Sequence, residues 1–417
     1  MAKTVFVGMS GGVDSSVSAL LLKEQGYHVV GVYMKNWSKD LPGMKCPWAD
    51  DLADAKRVAV KLGINFEVWD FEKEYYEKVV EYMLNEFKKG NTPNPDIMCN
   101  QEIKFKLFYE KAMERGADFI ATGHYARVGI FDSSSLEPTR PPVFTGGSFC
   151  RRRADDGEHV LDSDKSNIPM LLRAKDENKD QTYFLYRISE KALAHTLFPI
   201  GEMMKPNVKK LAEEKGLHNA YKKESMGVCF VGEVGMKDFL KEYIDIKPGE
   251  IREIESEKVL GYHEGAVFYT IGQRHGLYIE GVKGEVNDGL PYYVVKKDID
   301  NNIVYVSKNL NDENLWVSEL ELSDIVFRTS NLSTLEPTRP PVFTGGSFCR
   351  RRLDDGEHAL ESDKLEVLVR LRHRAPLISA VFDGKKLTFE QKIKRPASGQ
   401  SAVIYDGEVC LGGGIIK

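Results

Sequence analysis

Gly8-Met9-Ser10-Gly11-Gly12-Val13-Asp14-Ser15-Ser16 follows directly on the apolar run Thr4-Val5-Phe6-Val7. An apolar run ending in small residues reads as a buried parallel strand. Beyond it, Val13, Val17, Leu20 and Leu21 have the spacing of one helical face, so the glycine-serine stretch is a loop between a strand and a helix. A helix N-terminus presents unpaired N–H groups and a partial positive charge, and Gly11 and Gly12 let the backbone approach an anion closely. Ser10 and Ser15 add hydroxyl donors. Neither the Walker spacing nor the Rossmann glycine spacing occurs here, which predicts a phosphate site of another kind.

Working outward, His28 to Lys35 reads as a second strand, with Met34 near any nucleotide bound at the first. A helical pattern over Asp50 to Leu62 and a strand over Phe66 to Trp69 follow. This βαβα order predicts a doubly wound α/β fold, a twisted parallel sheet with its ligand at the carboxyl ends of the strands. A further strand, Asp118 to Thr122, ends in Gly123 and His124; the glycine permits close approach and the histidine can donate a hydrogen bond. Pro93 and Pro95 predict a stiff loop over Asn91 to Asn100, with Asn100 as N-cap of the next helix. Cys99 then sits beside a helix N-terminus, where a thiolate is favoured, with Lys104 and Lys106 adding positive potential. Taken alone, such a cysteine is more often a small buried residue. The same holds for Cys229, in a Gly-bounded apolar strand at Glu224 to Gly232.

The chain of 417 residues has room for two or three domains. With 58 basic against 63 acidic residues and a net charge of -5, it is not a generally basic nucleic-acid binder, so any such binding needs a local patch. The six cysteines are widely spaced without Cys-x-x-Cys, which argues against a disulfide scaffold or a zinc site. No leader-like or membrane-spanning stretch is evident, and a cytoplasmic location without membrane partners is expected. After a short helix at Lys205 to Lys215, the texture from about Gly261 changes to strand and turn, with turn signals at Asp300-Asn301-Asn302, Asp383-Gly384 and Asp406-Gly407. A small C-terminal β-barrel is expected. A strand over Leu365 to Ala375 would place Arg370, Arg372 and Arg374 on one face, the local basic patch that nucleic-acid binding requires. The expected divisions are 1–220, 221–291 and 292–417. Leu136–Lys165 and Leu335–Lys364 agree at 27 of 30 positions, 199 residues apart. Rich in Pro, Gly, Ser and charge, they read as inserted surface segments; a duplicated arginine arm is the runner-up. Cys150 and Cys349 travel with them and are discounted as catalytic.

The loop Ser-Gly-Gly-x-Asp-Ser resembles the pyrophosphate loop of ATP pyrophosphatases. Five blocks in order extend the likeness: the loop itself, Asn-Thr-Pro-Asn-Pro-Asp-Ile-Met-Cys-Asn at Asn91, Ala-Thr-Gly-His-Tyr at Ala121, Lys-Asp-Gln-Thr-Tyr-Phe-Leu at Lys179 and Gly-Val-Cys-Phe-Val-Gly at Gly227. Together they resemble the tRNA-specific 2-thiouridylases, which place sulfur on a wobble uridine. The resemblance implies an ATP pyrophosphatase domain, a small central domain and a C-terminal barrel. It implies ATP as cosubstrate with Mg2+, tRNA as partner, and a persulfide-donating carrier or cysteine desulfurase as sulfur source. Gly8, Met9, Ser10, Gly11, Gly12, Val13, Asp14, Ser15, Met34 and Gly123 would bind ATP. Asn94, Pro95 and Asp96 would meet the target base, with Asp96 as acid or base. His124, Lys179, Asp180, Gln181, Arg372, His373 and Gln400 would touch tRNA. Cys99 would be the nucleophile and Cys229 the persulfide carrier, joined after turnover in a disulfide. An adenylating amide synthetase, or a tRNA-binding protein without catalysis, remains an alternative.

Overall fold

Alternation along the first strand decides how the N-terminal domain is layered. The computed structural model describes residues 2–40, 46–132, 167–223, 236–277, 279, 290–328 and 364–417. In β1 (Thr4–Gly8), Val5 and Val7 point to one face and Phe6 to the other, and all three are buried. Strands buried on both faces belong inside a sheet covered on both sides. β1 pairs in parallel with β2 (His28–Lys35), which pairs in parallel with β3 (Asn65–Asp70). On its other edge β1 meets β4 (Phe119–Ala121), with Val7 opposite Ala121.

Val5 and Val7 pack against the helices Val13–Glu24 and Lys205–Glu214 through Val13, Val17, Val208 and Ala212. Phe6 packs with Trp69 of β3 and with Tyr75, Met83, Ile103 and Phe108 from helices over 72–88 and 95–114. Each such fully buried side chain contributes about 1.5–3 kcal/mol relative to exposure. The strand order reverses between β1 and β4, so a crevice opens at their carboxyl ends. The glycine-serine loop lies at that crevice.

The chain leaves this sheet through a hairpin of β5 (Ala126–Asp132) and β6 (Asn167–Arg173), with Val128 opposite Leu171. The sequence places the first repeated segment between Val128 and Leu171 as an excursion from the parallel sheet. The hairpin belongs elsewhere: β6 pairs with the last strand of the chain, and residues 133–166 lie outside the described residues. β7 (Thr196–Leu197) then completes the five-stranded parallel sheet, order β3-β2-β1-β4-β7.

β8 (Gly249–Glu253), β9 (Val259–His263), β10 (Tyr293–Asp298) and β11 (Ile303–Ser307) form a four-stranded sheet, order β10-β11-β8-β9. Sequence reading assigns β10 and β11 to the barrel, but Val304 and Val306 are buried with Ile251 and Leu260 in a core of their own. The barrel comprises β12 (Trp316–Phe327), β13 (Leu365–Arg370), β14 (Ile378–Phe382), β15 (Lys386–Lys394), β16 (Ser401–Asp406) and β17 (Val409–Ile416). Its order β12-β15-β14-β13-β16-β17 closes by pairing β17 back to β12. Closure removes the exposed edges that a flat sheet leaves. The second repeated segment falls between β12 and β13, with 329–363 outside the described residues.

Candidate nucleotide and tRNA site

Small residues let three chain segments converge on the loop. Gly11 has φ +74, and a Cβ there would strike the Asp51 carbonyl oxygen. Only glycine takes that conformation and that contact without strain. A Cβ on Gly123 would lie 2.5 Å from the Ser15 amide nitrogen, so the β4 end presses directly on the helix N-terminus. Met34 touches Gly8 from β2, where a Cβ would come 2.9 Å from its Cε. Inside the loop, the Ser10 amide donates to Ser15 Oγ at 3.2 Å, and the Ser15 and Ser16 hydroxyls donate to the Gly12 carbonyl at 3.2 and 2.8 Å. The loop is thus shaped before any ligand arrives.

Three residues not singled out in the sequence hold it from outside. Asn219, buried, donates through Nδ2 to the Gly11 carbonyl and Ser16 Oγ, each at 2.9 Å. Lys205, also buried, places Nζ 2.8 Å from both oxygens of Asp14. The Tyr125 hydroxyl donates to the same carboxylate at 3.0 Å. Lys205 opens a helix whose second residue is Pro206, a visible start signal; nothing in the sequence pairs its ammonium with a carboxylate so far up the chain. Among the described residues no three His, Cys, Asp or Glu side chains are grouped to hold a metal ion, and Asp14 is taken by Lys205 and Tyr125. These side chains do not fit a protein-built Mg2+ site.

The segment around Cys99 departs from expectation. The helical run begins at Pro95, with Asn94 as its N-cap accepting from the Asp96 amide at 3.2 Å. Proline suits a first helical turn, where its missing N–H would be unpaired anyway. Asn100 is therefore inside the helix, buried, with Nδ2 donating to the Phe184 carbonyl at 3.1 Å. Cys99 starts the π-helical stretch Cys99–Leu107 and is 2 % exposed. The N-terminal amides expected beside it belong to Asp96 and its neighbours.

The charge of Lys104 acts on both Asp96 and His124. Burial, opposed in part by Lys104, raises the Asp96 carboxyl above the usual carboxylate range. Burial, reinforced by Lys104, holds His124 well below its ordinary value, so the ring is neutral at pH 7. His124 Nδ1 is 2.8 Å from Thr122 Oγ1, and its ring packs 5.8 Å from Phe105, on the helix that carries Cys99. Contacts thus run from Ser15 through Gly123 and His124 to the Asp96–Cys99 helix. Cys229 lies outside the described residues.

The expected tRNA contacts divide. Asp180 is fully enclosed: it accepts from the Ala174 amide at 3.1 Å, from Thr182 Oγ1 at 3.0 Å and from Arg370 Nη1 at 2.7 Å. It clamps the N-terminal domain to the barrel and presents nothing to a ligand. Arg370 is correspondingly buried at the end of β13, and the chain turns there, so the expected row of three arginines on one strand does not form. Arg372 and Arg374 are exposed on the turn, Arg374 at φ 63. His373 packs 4.5 Å from the Phe184 ring, and burial together with Arg374 and Arg370 lowers it to about 4. Gln181 Oε1 accepts from the Tyr125 amide at 2.8 Å, next to His124, while the Lys179 amide donates to the Asp176 carbonyl at 3.0 Å. Gln400 donates through Nε2 to the Thr92 carbonyl at 2.6 Å, tying the barrel to the segment that leads into Asn94 and Pro95.

A parallel sheet with a loop-to-helix anion site at its switch point, followed by a four-stranded sheet and a closed barrel, defines a nucleotide-binding α/β protein carrying two β domains. Family models match all three parts: residues 3–233 a tRNA methyl transferase HUP domain, 237–308 a tRNA methyl transferase PRC-barrel domain, and 351–416 an aminomethyltransferase beta-barrel domain. The tRNA-specific 2-thiouridylase MnmA of Lactiplantibacillus plantarum is 41% identical, over 99% of this chain and 94% of the relative. That of Idiomarina loihiensis is 42% identical over 100% and 96%. The chain belongs to the tRNA-specific 2-thiouridylase MnmA family. No described helix is long and apolar enough to cross a membrane.

Proposed function

We propose that this protein forms 2-thiouridine at the wobble position of tRNA, using ATP and a cysteine persulfide. The observation that carries the reading is the run of contacts joining the anion loop at Ser15, through Gly123 and His124, to the helix holding Asp96 and Cys99. Activation and sulfur chemistry then share one crevice.

Bound ATP supplies the adenylyl group that turns the uridine C2 oxygen, a poor leaving group, into a good one. The loop amides and the Ser10 hydroxyl would face the pyrophosphate and offset its charge, and the Ser15 hydroxyl would exchange its bond to the Gly12 carbonyl to join them. Lys205 neutralises Asp14, so the carboxylate does not repel the phosphates. Met34 and Gly123 border the nucleotide, and Asn94 and Pro95 the target base. Asp96, held protonated more readily than an ordinary carboxyl, donates or accepts a proton at the uridine. The terminal sulfur of the Cys229 persulfide attacks C2 and AMP leaves. The Cys99 thiolate then attacks the Cys229 sulfur, releasing thiouridine and leaving a Cys99–Cys229 disulfide. An external reductant restores the thiols, and a persulfide carrier or cysteine desulfurase reloads Cys229. Because Cys99 is buried, the chain covering it must move for this step.

The test is incubation of unmodified tRNA with ATP and a persulfide donor, followed by nucleoside mass spectrometry. Appearance of 2-thiouridine that depends on both Cys99 and Cys229 is the expected result. Undiminished product from Cys229→Ser rejects the persulfide role; no product from the intact protein rejects the function.

A further inference from the structure

A cleft lined by cationic side chains lies where all three domains meet. Between the 90–91 segment of the N-terminal domain, β10 of the central sheet and the end of β15 lies a cavity of about 370 Å³. Lys296, Lys297, Arg395, Asn91, Asn314 and Ser398 supply its polar lining, and no lining residue is acidic. Lys297 Nζ reaches across the domain boundary to the Gly90 carbonyl at 2.5 Å and also to the Tyr269 carbonyl at 2.8 Å. No described carboxylate pairs with Lys297 or Arg395. Arg395 is fixed through Nε, which donates to the Asn314 carbonyl at 2.9 Å, leaving the rest of its guanidinium for another acceptor. Lys89, at the rim, is already neutralised by Glu86 at 2.7 Å. Burial without a counter-ion lowers Lys297 to about 8.

Lys297 and Arg395, half-buried cations without carboxylates, call for an anion, and the exposed Lys296 adds positive charge at the mouth. The nonpolar part of the lining is aliphatic, with no aromatic ring on which a base could stack. The chemistry therefore fits a phosphate and not a nucleobase: a contact that positions a strand without reading its sequence. The location fits the same conclusion. Thr92, next to Asn91, donates its amide to the Ser398 carbonyl at 2.8 Å and lies two residues before Asn94, which caps the Cys99 helix.

We propose that this three-domain cleft binds a backbone phosphodiester of the tRNA, anchoring the strand beside the target nucleotide. The proposal rests on tRNA being the substrate. One anion held by residues of three domains also locks their mutual placement, so substrate would set the geometry of the crevice as it docks.

The experiment measures tRNA affinity across a salt series for the intact protein, Arg395→Gln, Lys296→Gln and, as control, Lys3→Gln at the opposite end of β1. All variants are first checked for unchanged melting temperature. Arg395→Gln and Lys296→Gln are expected to bind tRNA several-fold more weakly. Each should lower the slope of log K against log salt by about 0.7–0.9, whereas Lys3→Gln leaves it unchanged. Unchanged slopes in both cleft variants overturn the proposal, as does a cleft that is stabilised by inorganic phosphate while the tRNA slope stays constant. Absence of tRNA binding by the intact protein is a different failure, that of the substrate assignment itself.

Discussion

Two carboxylates of this protein, Asp14 and Asp180, each bind a buried cation at hydrogen-bonding distance, and they are built for opposite purposes. Asp180 has no exposed side-chain surface and sits in a closed set of donors from the end of β13, the residue following β6 and the helix that starts at Thr182. Asp14 keeps 27% of its side chain exposed while Lys205 retains 8%. One pair is sealed; the other keeps part of its carboxylate open. A sealed pair can only hold structure, because every lone pair is already used. An open pair on a helix N-terminus can exchange partners when an anion arrives.

The sharpest way to break this contrast is to remove the sealed pair. Asp180→Ala strands Arg370 in a dry environment, and a loss of about 3–5 kcal/mol is expected in denaturant unfolding. Replacing both partners together should cost less than the sum of the single changes. A fall in activity with unchanged stability would show that Asp180 faces substrate after all. Next comes the open pair. Asp14→Ala or Lys205→Met should reduce pyrophosphate release about 10²–10³-fold with only a modest change in melting temperature and with tRNA affinity retained. Lys205→Arg should recover part of the loss. If Lys205→Met unfolds the protein as readily as Asp180→Ala, the two pairs are equivalent and the contrast fails.

A smaller effect is expected from His373, whose folded-state value near 4 lies below the ordinary 6.5. As the pH falls through 6.5 the unfolded chain takes up a proton that the folded chain refuses until about 4, so stability declines across that window. His373→Gln should flatten this part of the stability profile; an unchanged profile would deny the burial. Smallest of all is Arg372→Gln. This side chain is exposed on a turn, so melting should not change. A several-fold weaker tRNA affinity with a shallower salt slope is expected.

Which parts could be read from sequence follows from how local the determinants are. β2 falls on His28–Lys35 as expected, and the turns at Asp300-Asn301-Asn302, Asp383-Gly384 and Asp406-Gly407 join the strands they were expected to join. These depend on period and turn chemistry within a few residues. The helix at Pro95 was missed because two prolines were weighed against helix, although Asn94-Pro95 is itself a cap followed by a first-turn proline. The Arg370 assignment failed for another reason. Alternation along a strand assigns a face, but it does not say what lies across it, and Asp180 arrives from a different domain. Lys205 and Asn219 were invisible for the same cause: their partners are set by tertiary packing. Assignment of β10 and β11 to the wrong sheet reflects the limit of strand signals, which give a strand's existence without its neighbours.

The β5–β6 hairpin constrains the order in which parts of this chain can pair as it is synthesised. Its outer edge pairs through Leu171 and Leu172 with Cys410 and Val409, in a strand that follows the central sheet and the other barrel strands in the chain. The nucleotide domain leaves the exit tunnel with that edge unpartnered. It stays open until the whole barrel has emerged, since β17 must also close onto β12. Contacts this distant in sequence are slow to form, and an open strand edge invites pairing with other chains. One strand, β17, thus completes both the pairing of the hairpin and the closure of the barrel.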